Sequence, residues 1–536
     1  MACPALLEAF RDPAFYPEPT QHVEIRETHA SIVFLIDHYA YKIKKAVHFG
    51  FLDYATLERR QVFCTEELRL NRRLAPAVYL EVLALHRTPQ GYRFAGNGPV
   101  VEYVLKMQRL PDQASLAARL ARQAVTPQTM EALAHRLALF HAPPGPLDAT
   151  PGYGTLRQVM ADWEENFVQT LPYIGRTIAQ QDYDQITQAV TSFMSRHANW
   201  FAQRVQRGHI RDCHGDLRAE HVYVLDGQIH IIDCIEFSAS LRFIDVASEI
   251  AFLAMDLERL GSPALAGHFV QAYVAVTGDL TLYRILDFYR CYRAYVRGKV
   301  TSLRLQEALP EPERCAVQQT AAQVFLLAAR YARRCVQPVC LLSTGLIGSG
   351  KSTLAAGVAT ALDAPLLSSD RLRKVQAGLA PHTRQHVAYG TGLYNVATTR
   401  QTYDALADLA RQHLSQGQSV VLDASFASRA ERRRLATLAG DLGAACYLLE
   451  CTAPEAVLRQ RLEQRSRQST AVSDGRLEIL EQFRSAYEPV LPDEPLCHLR
   501  LDTTQDTSRC VQHVLAALTG GSAIEADRMS QQSIAE

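Results

Sequence analysis

Apolar and polar positions change period along this chain of 536 residues, and each change predicts a different kind of element. The runs Ser31–Ile36 and Ala40–Lys44 flank Asp37-His38, which predicts a hairpin over Ile32 to Lys45. Helical intervals follow through Thr56 to Leu74, a stretch rich in Glu and Arg. A further strand-like run, Val100–Met107, precedes Pro111, which ends regular pairing. From about residue 113 to 335 the pattern is mostly helical, interrupted by His209–Ile235. Beyond it, strand and helix alternate, with strands near 338–344, 364–368, 418–424, 444–451 and 496–502, the pattern of a parallel doubly wound sheet. Gly520–Glu536 carry Gly, Ser and Gln with few large apolar groups and read as a disordered tail. The expected boundaries are therefore 1–335, 336–519 and 520–536, a mixed α/β and α+β chain of two domains and a tail, with no internal repeat.

Length and composition narrow the picture. A chain of this size exceeds one ordinary core, which supports two or three domains. Lys+Arg and Asp+Glu both number 56, so no net field recruits nucleic acid or an anionic membrane. The 12 cysteines are scattered without a C-x-x-C pair, which suits reduced thiols better than a zinc site or a disulfide frame. The start Met1–Glu8 lacks a basic segment followed by an apolar stretch, and no run of about 18 apolar residues occurs. The expectation is a soluble, cytoplasmic protein.

The most specific motif lies in the second half. Gly345-Leu346-Ile347-Gly348-Ser349-Gly350-Lys351-Ser352 fits G-x-x-x-x-G-K-[ST], between the strand-like Val339–Ser343 and the helix-like Thr353–Leu362. Such a loop wraps phosphates with backbone N–H groups, from Gly345, Gly348, Ser349 and Gly350 to Thr353. Lys351 reaches the terminal phosphates and Ser352 meets Mg²⁺. ATP with Mg²⁺ is the expected cofactor. After the next strand come Asp370 and Arg373, at the sheet edge where open α/β folds bind ligands. A carboxylate there can take a proton from a hydroxyl, and the arginine can grip an anion on the acceptor. The third strand ends in Asp423, a further Mg²⁺ contact, followed by Ala424 rather than the glutamate that polarises water in ATPase motors. Arg461 and Arg465, four apart among Arg459 and Arg467, are candidates for a lid over the moving phosphoryl group. The Asp370-x-x-Arg373 spacing resembles the gluconate, chloramphenicol and polynucleotide kinase group.

The first half carries a second constellation. His214-Gly215-Asp216-Leu217 is followed by two short strands around Asp226-Gly227 and then by Asp233. That layout brings two carboxylates together, as transfer of a phosphoryl group to a hydroxyl requires. The segment resembles the aminoglycoside phosphotransferase family with its protein-kinase-like fold, over roughly residues 20 to 330. The resemblance implies Asp216 as base and Asp233 as metal ligand. It also implies Lys42 as the phosphate-binding lysine, with Lys44 as a rival, Glu67 as the glutamate paired with it, and Asp245 as a brace for the catalytic loop. Lys42–Lys45 with Phe49–Asp53 and Leu57–Arg60 further resembles bifunctional bacterial proteins that fuse such a domain to a P-loop kinase. His221 stands where that family has a metal-binding Asn, Cys234-Ile235 replaces Phe-Gly, and Thr28–Ser31 stands where a Gly-rich lid is expected. Imidazole is a poor ligand for Mg²⁺, so Glu236 or Glu220 is a candidate replacement oxygen. His141, closing Leu137–His141, reads as a capping or packing residue.

Together these readings predict ATP-dependent phosphorylation of a hydroxyl on a small molecule, with no membrane partner. An ATP-binding regulator built from a pseudokinase and a nucleotide switch is one alternative. A polynucleotide 5′-hydroxyl kinase is the other, although neutral net charge does not advertise a nucleic-acid groove.

Overall fold

The computed structural model describes residues 4–49, 52–142, 152–380, 383, 390–466 and 475–520. The expected tail from residue 521 onward, Gly50-Phe51 and Arg467 lie outside them. The chain divides into two compact units. One comprises Met1–Thr187, Met194–Thr277 and Tyr289–Ala328; the other comprises Gln188–Phe193, Gly278–Phe288 and Ala329–Glu536. Among the described residues no helix is long and apolar enough to cross a membrane.

In the first unit six strands form an antiparallel sheet in the order Glu24–Glu27, Ser31–Leu35, Tyr39–Lys44, Val100–Gln108, Tyr79–Thr88 and Gly91–Arg93. The expected hairpin is present, with Val33 opposite Lys42. Alternation along Tyr39–Lys44 sorts its side chains between two faces. Tyr41 and Ile43 enter a core with Phe10 and Phe34, while Ala40 packs with Val78 and Leu105 on the other side. Lys42 and Lys44 share the parity of Ala40. The Leu57–Asn71 helix is capped by the Thr56 hydroxyl, and its buried positions include Arg60, Cys64, Glu67 and Asn71. Polar residues thus occupy the stripe where a helix ordinarily buries apolar ones.

The interruption expected at His209–Ile235 consists of strand Ile210–Asp212, a loop, and the hairpin Val222–Leu225 with Gln228–Ile231. Asp226 and Gly227 both have positive φ, as a two-residue hairpin turn demands. The helix Val246–Arg259 that follows is buried from Val246 through Leu257.

The second unit carries all five expected strands. They are parallel in the order Leu366–Ser368, Val420–Asp423, Val339–Thr344, Ala445–Thr452 and Cys497–Asp502. Cys340, Leu342, Val420, Leu422 and Leu448 pack beneath Leu406, Ala410, Leu435 and Ala439 of the helices Val396–Ser415 and Arg429–Asp441. Apolar residues dominate these strands because both faces are covered.

One charged pair is sunk in this unit. The Arg432 guanidinium donates to Glu494 through two bonds of 2.8 Å, and neither side chain is exposed. Nη1 reaches the carbonyls of Phe426 and Glu488, each at 3.0 Å, and Nη2 that of Pro489 at 3.2 Å. Removing one member of such a pair strands the other charge, so Glu494→Ala should cost about 3–5 kcal/mol. Urea unfolding of this unit's transition measures it. An apolar double replacement at both positions should recover most of the loss, and a single-change cost under about 1 kcal/mol would contradict a dry pair.

Candidate active sites

The P-loop follows directly from the central strand Val339–Thr344. Gly345, Gly348 and Gly350 all have positive φ, and a Cβ at Gly345 would lie 2.4 Å from the Cys451 carbonyl oxygen. Only glycine fits there. Gly350 occupies the N-cap of the Lys351–Leu362 helix and offers no side chain to its first N–H groups, leaving an N-terminus suited to an anion. Lys351 Nζ donates to the Leu346 carbonyl at 2.7 Å, and Ser352 Oγ lies 3.1 Å from Asp423 Oδ1. Burial pushes the Lys351 ammonium below its ordinary pKa and the Asp423 carboxyl above its own.

A cavity of about 660 Å³ opens over this loop. Lys351, Ser352 and Asp423 line one part of it, while Asp370, Arg373 and Arg465 also face it. Asp370 sits in the first turn of the Ser369–Gln376 helix, its Oδ1 3.8 Å from Arg373. Arg373 is buried, stacks on the Tyr394 ring at 4.5 Å, and has an Nε without a hydrogen-bond partner among the described residues. The pair of lid candidates separates. Burial lowers the Arg465 pKa against the pull of Asp370 and Asp423. Arg461 instead donates to Thr503 Oγ1 at 3.0 Å and Thr503 O at 2.6 Å, and Thr503 donates in turn to Ser349 O at 2.7 Å. Arg461 therefore buttresses the loop from behind. Tyr394 and Arg400 also line the cavity, and no motif pointed to them.

In the first unit Lys42 donates to Glu67 at 2.7 Å and to Asp233 at 2.8 Å. Lys44, the rival, donates to the other oxygen of Glu67 at 2.6 Å and is itself buried. Burial disfavours both ammonium ions, yet the carboxylates outweigh it and raise both pKa values well above normal. Glu236 does not join Asp233. Its carboxylate bonds to Lys44 and to the Tyr54 hydroxyl. The expected metal role of Glu236 competes with that engagement, both bonds of which fall on Oε1, and Glu220 is exposed and paired with Arg218.

Asp216 receives two bonds of 2.9 Å from Arg218. Burial opposes its charge, but Arg218 and His221 prevail and hold the carboxyl at about 2. His221 Nδ1 is 2.9 Å from the Asp216 carbonyl oxygen, and its Nε2 is 3.8 Å from Asp233 Oδ2. Burial, then Arg218, keeps this imidazole below its ordinary pKa. Asp233 adopts φ +67, a strained value for a residue with a Cβ. Its pKa is lowered, chiefly by Lys42.

The loop brace is Glu249 rather than Asp245. Glu249 accepts from the backbone N–H of His214 at 2.6 Å and of Gly215 at 3.0 Å, and Asp256, two turns later, accepts from Ala219 N–H at 2.9 Å. Asp245 instead caps its own helix at Ala247 N and pairs with buried Arg204. His141 is a packing residue, as expected, with Nδ1 2.8 Å from the Tyr273 hydroxyl and Nε2 3.8 Å from Glu249.

Ser352 and Asp423, two hard oxygen ligands side by side below the loop, fit Mg²⁺. In the first unit Asp233 fits it and His221 does not.

The AAA domain family matches residues 341–490. An uncharacterized protein of Mycobacterium tuberculosis is 31% identical over 444 residues, covering 83% of this chain and 86% of its own length, and one from Mycobacterium bovis matches equally. A sugar kinase structure from Janibacter is 21% identical over 35% of this chain and 98% of its own, with a TM-score of 0.28. A choline/ethanolamine kinase family protein from Mesorhizobium loti is 14% identical over 61% of this chain and 99% of its own, with a TM-score of 0.38. Neither overlap is close enough to carry an argument. The long mycobacterial match is: the chain belongs to the same family as these mycobacterial proteins, and its P-loop unit carries the AAA domain match at residues 341–490.

Proposed function

We propose that the protein is an ATP-dependent phosphotransferase acting on an alcohol group of a small molecule, with the P-loop cavity as a seat of transfer. One observation carries this reading: a single cavity joins the phosphate-binding end, Lys351 and Ser352, to an acceptor end formed by Asp370 and Arg373. The helix N-terminus at Gly350 and the Lys351 ammonium would hold the triphosphate. Ser352 and Asp423 would hold Mg²⁺, which supplies charge neutralisation on the phosphates. Asp370 orients the acceptor hydroxyl and takes its proton, while Arg465 meets negative charge on the moving group. Buried Arg373, whose Nε has no partner among the described residues, is suited to an anionic substituent of the acceptor. Ala424 puts no carboxylate next to Asp423 in the sequence to polarise water, which favours transfer over hydrolysis. The cavity volume suits a small molecule.

The first unit supports a second transfer site of the same chemistry. Lys42, paired with Glu67, is suited to phosphate, Asp233 to a cation and Asp216 to the acceptor proton. Arg218 presently occupies both oxygens of Asp216, so an acceptor hydroxyl must displace it.

Labelled ATP offered with metabolite extract tests the reading. Lys351→Ala should lower labelling through the P-loop cavity by about a hundredfold or more, the scale of losing one preorganised charge-stabilising group. Asp370→Asn should lower kcat by about 10²–10⁴ while ATP affinity stays near wild type, as loss of a general base does. If Lys351→Ala and Asp216→Ala both leave labelling of every product unchanged, the protein is no phosphotransferase and the regulator reading takes its place.

The Asp216 carboxyl gives a pH test. A base acts above its pKa, and at about 2 Asp216 stays ionised through the neutral and mildly acid range. Transfer in this unit should show no acid limb from Asp216 above about pH 4, where an unperturbed aspartate titrates. Arg218→Ala removes the main opposing charge and leaves burial dominant, so the limb should move upward. A pH–rate profile unmoved by that change would exclude Asp216 as the group that takes the proton.

A further inference from the structure

His221 stands apart from the chemistry proposed above, because its imidazole nitrogen, a poor ligand for Mg²⁺, lies beside the carboxylate of Asp233. We propose that the N-terminal cleft holds its nucleotide with a first-row transition-metal ion rather than with Mg²⁺, coordinated by His221 Nε2 and Asp233 Oδ2. This rests on the reading that the cleft takes a nucleoside triphosphate.

Four observations converge. First, the ring is oriented by its other nitrogen. Nδ1 lies 2.9 Å from the carbonyl oxygen of Asp216, which can only accept, so Nδ1 carries the hydrogen and Nε2 is left as the acceptor nitrogen, engaged here by Arg218. An Nδ1–H held by a carbonyl is the outer bond that orients metal-bound histidines.

Second, a carboxylate oxygen stands close to that nitrogen. Nε2 is 3.8 Å from Asp233 Oδ2, while Oδ1 of the same carboxylate is held by Lys42. Neighbouring ligands at about 2.0–2.2 Å from one ion stand roughly 3 Å apart, so closing the gap takes a small rotation of the half-exposed Asp233.

Third, the cluster lacks positive charge. Glu67, Glu236 and Asp233 bring three carboxylates against the ammonium groups of Lys42 and Lys44. A cation at Asp233 would meet that excess.

Fourth, a cation already stands at the nitrogen. Arg218 Nη2 is 3.0 Å from His221 Nε2, which confirms the acceptor role of that atom. Arg218 also pairs with exposed Glu220 and so keeps a partner when it leaves the imidazole. The other histidine of the loop is unsuited, since His214 Nε2 meets the Ile232 carbonyl at 2.8 Å and its Nδ1 accepts from Asp216 N–H at 3.3 Å.

The preference follows from ligand chemistry. Mg²⁺ demands hard oxygens and near-ideal octahedra, whereas nitrogen affinity rises from Mn²⁺ through Co²⁺. The test uses the full-length chain without a histidine tag and carrying Lys351→Ala to silence the P-loop. A non-hydrolysable ATP analogue is titrated with Co²⁺, Mn²⁺ or Mg²⁺. The analogue should bind at least about tenfold more tightly with Co²⁺ than with Mg²⁺, in line with the rising nitrogen affinity.

Pulsed electron-spin-echo spectra with Mn²⁺ supply a second readout in the wild-type chain. They should show the nitrogen coupling of a coordinated imidazole, and no described residue lining the P-loop cavity is a histidine that could supply it. His221→Asn should abolish the coupling and bring Co²⁺ and Mg²⁺ affinities within about threefold, because an amide oxygen suits either ion. Equal affinity with the two metals and no nitrogen coupling in the wild-type chain would overturn the metal assignment alone. Coupling that persists in His221→Asn would overturn the ligand. Failure of the analogue to bind the silenced chain with any of the three ions would overturn the nucleotide reading of this cleft, and the metal assignment with it.

Discussion

A carboxylate removed from water must be met by hydrogen-bond donors or by positive charge, and Glu67 is met by two ammonium groups. Lys42 takes one oxygen and Lys44 the other, both from alternate positions of one strand. The register of that strand is therefore fixed by charge as well as by packing. Slipping it by one residue would turn both ammonium groups into the core of Phe10 and Phe34 and bring Tyr41 and Ile43 onto the charged side. The same clamp aligns the Leu57–Asn71 helix, whose Asn71 accepts from Cys234 N–H at 2.9 Å just beyond Asp233. Helix, sheet and the strained Asp233 turn thus share one ionic cluster. Burying such a cluster is a poor route to stability, since well-packed apolar residues often do as well. Its value lies in holding Lys42 and Asp233 beside each other.

The P-loop unit solves the related problem of an anion site with backbone. Three glycines in left-handed conformations let the chain approach Cys451 and present the first N–H groups of the Lys351–Leu362 helix. Here positional precision comes from behind the loop. Thr503, just past the edge strand Cys497–Asp502, ties Ser349 to Arg461, so a basic residue that lies outside the cavity still shapes it. The contrast with the first unit is chemical. One cleft relies on side-chain charges that must be balanced, the other on dipoles that need no counter-ion.

What could be read from the chain alone follows from how local each signal is. The P-loop, Asp423 and the five parallel strands were legible because strand, turn and helix each leave a pattern within a few residues. Val339–Thr344 runs straight into Gly345. The hairpin that separates Asp216 from Asp233 was legible for the same reason. Three strands of the first sheet were not. In Tyr79–Thr88 the run Val82-Leu83-Ala84-Leu85 is apolar without alternation, so period alone cannot tell it from a buried helix. Arg461 and Arg465 share a face by spacing, yet Thr503, some forty residues away, captures only the first. No local rule contains that contact. The Lys44 partner of Glu236 was hidden differently: proximity to Asp233 in sequence says nothing of direction, and the positive φ at Asp233 turns the chain before Glu236 meets Lys44.

The exchange of Asp245 for Glu249 shows where a stronger signal lay unused. Both precede or enter the same helix, and spacing from Asp216 does not decide between them. Burial does. Along Val246–Leu257 the helix is almost wholly inside, and Glu249 and Asp256 are acids that an apolar environment would exclude unless something met them. Seven residues apart, they fall on one face. Two buried carboxylates on one face require a surface rich in donors, and a loop without regular pairing, such as Cys213–Ala219, is where unsatisfied backbone N–H groups are found. Acid side chains inside a buried helix therefore identify the loop they brace before any coordinate does. The same requirement explains why that loop is held at both ends, at His214-Gly215 and at Ala219, with Asp216 presented between them.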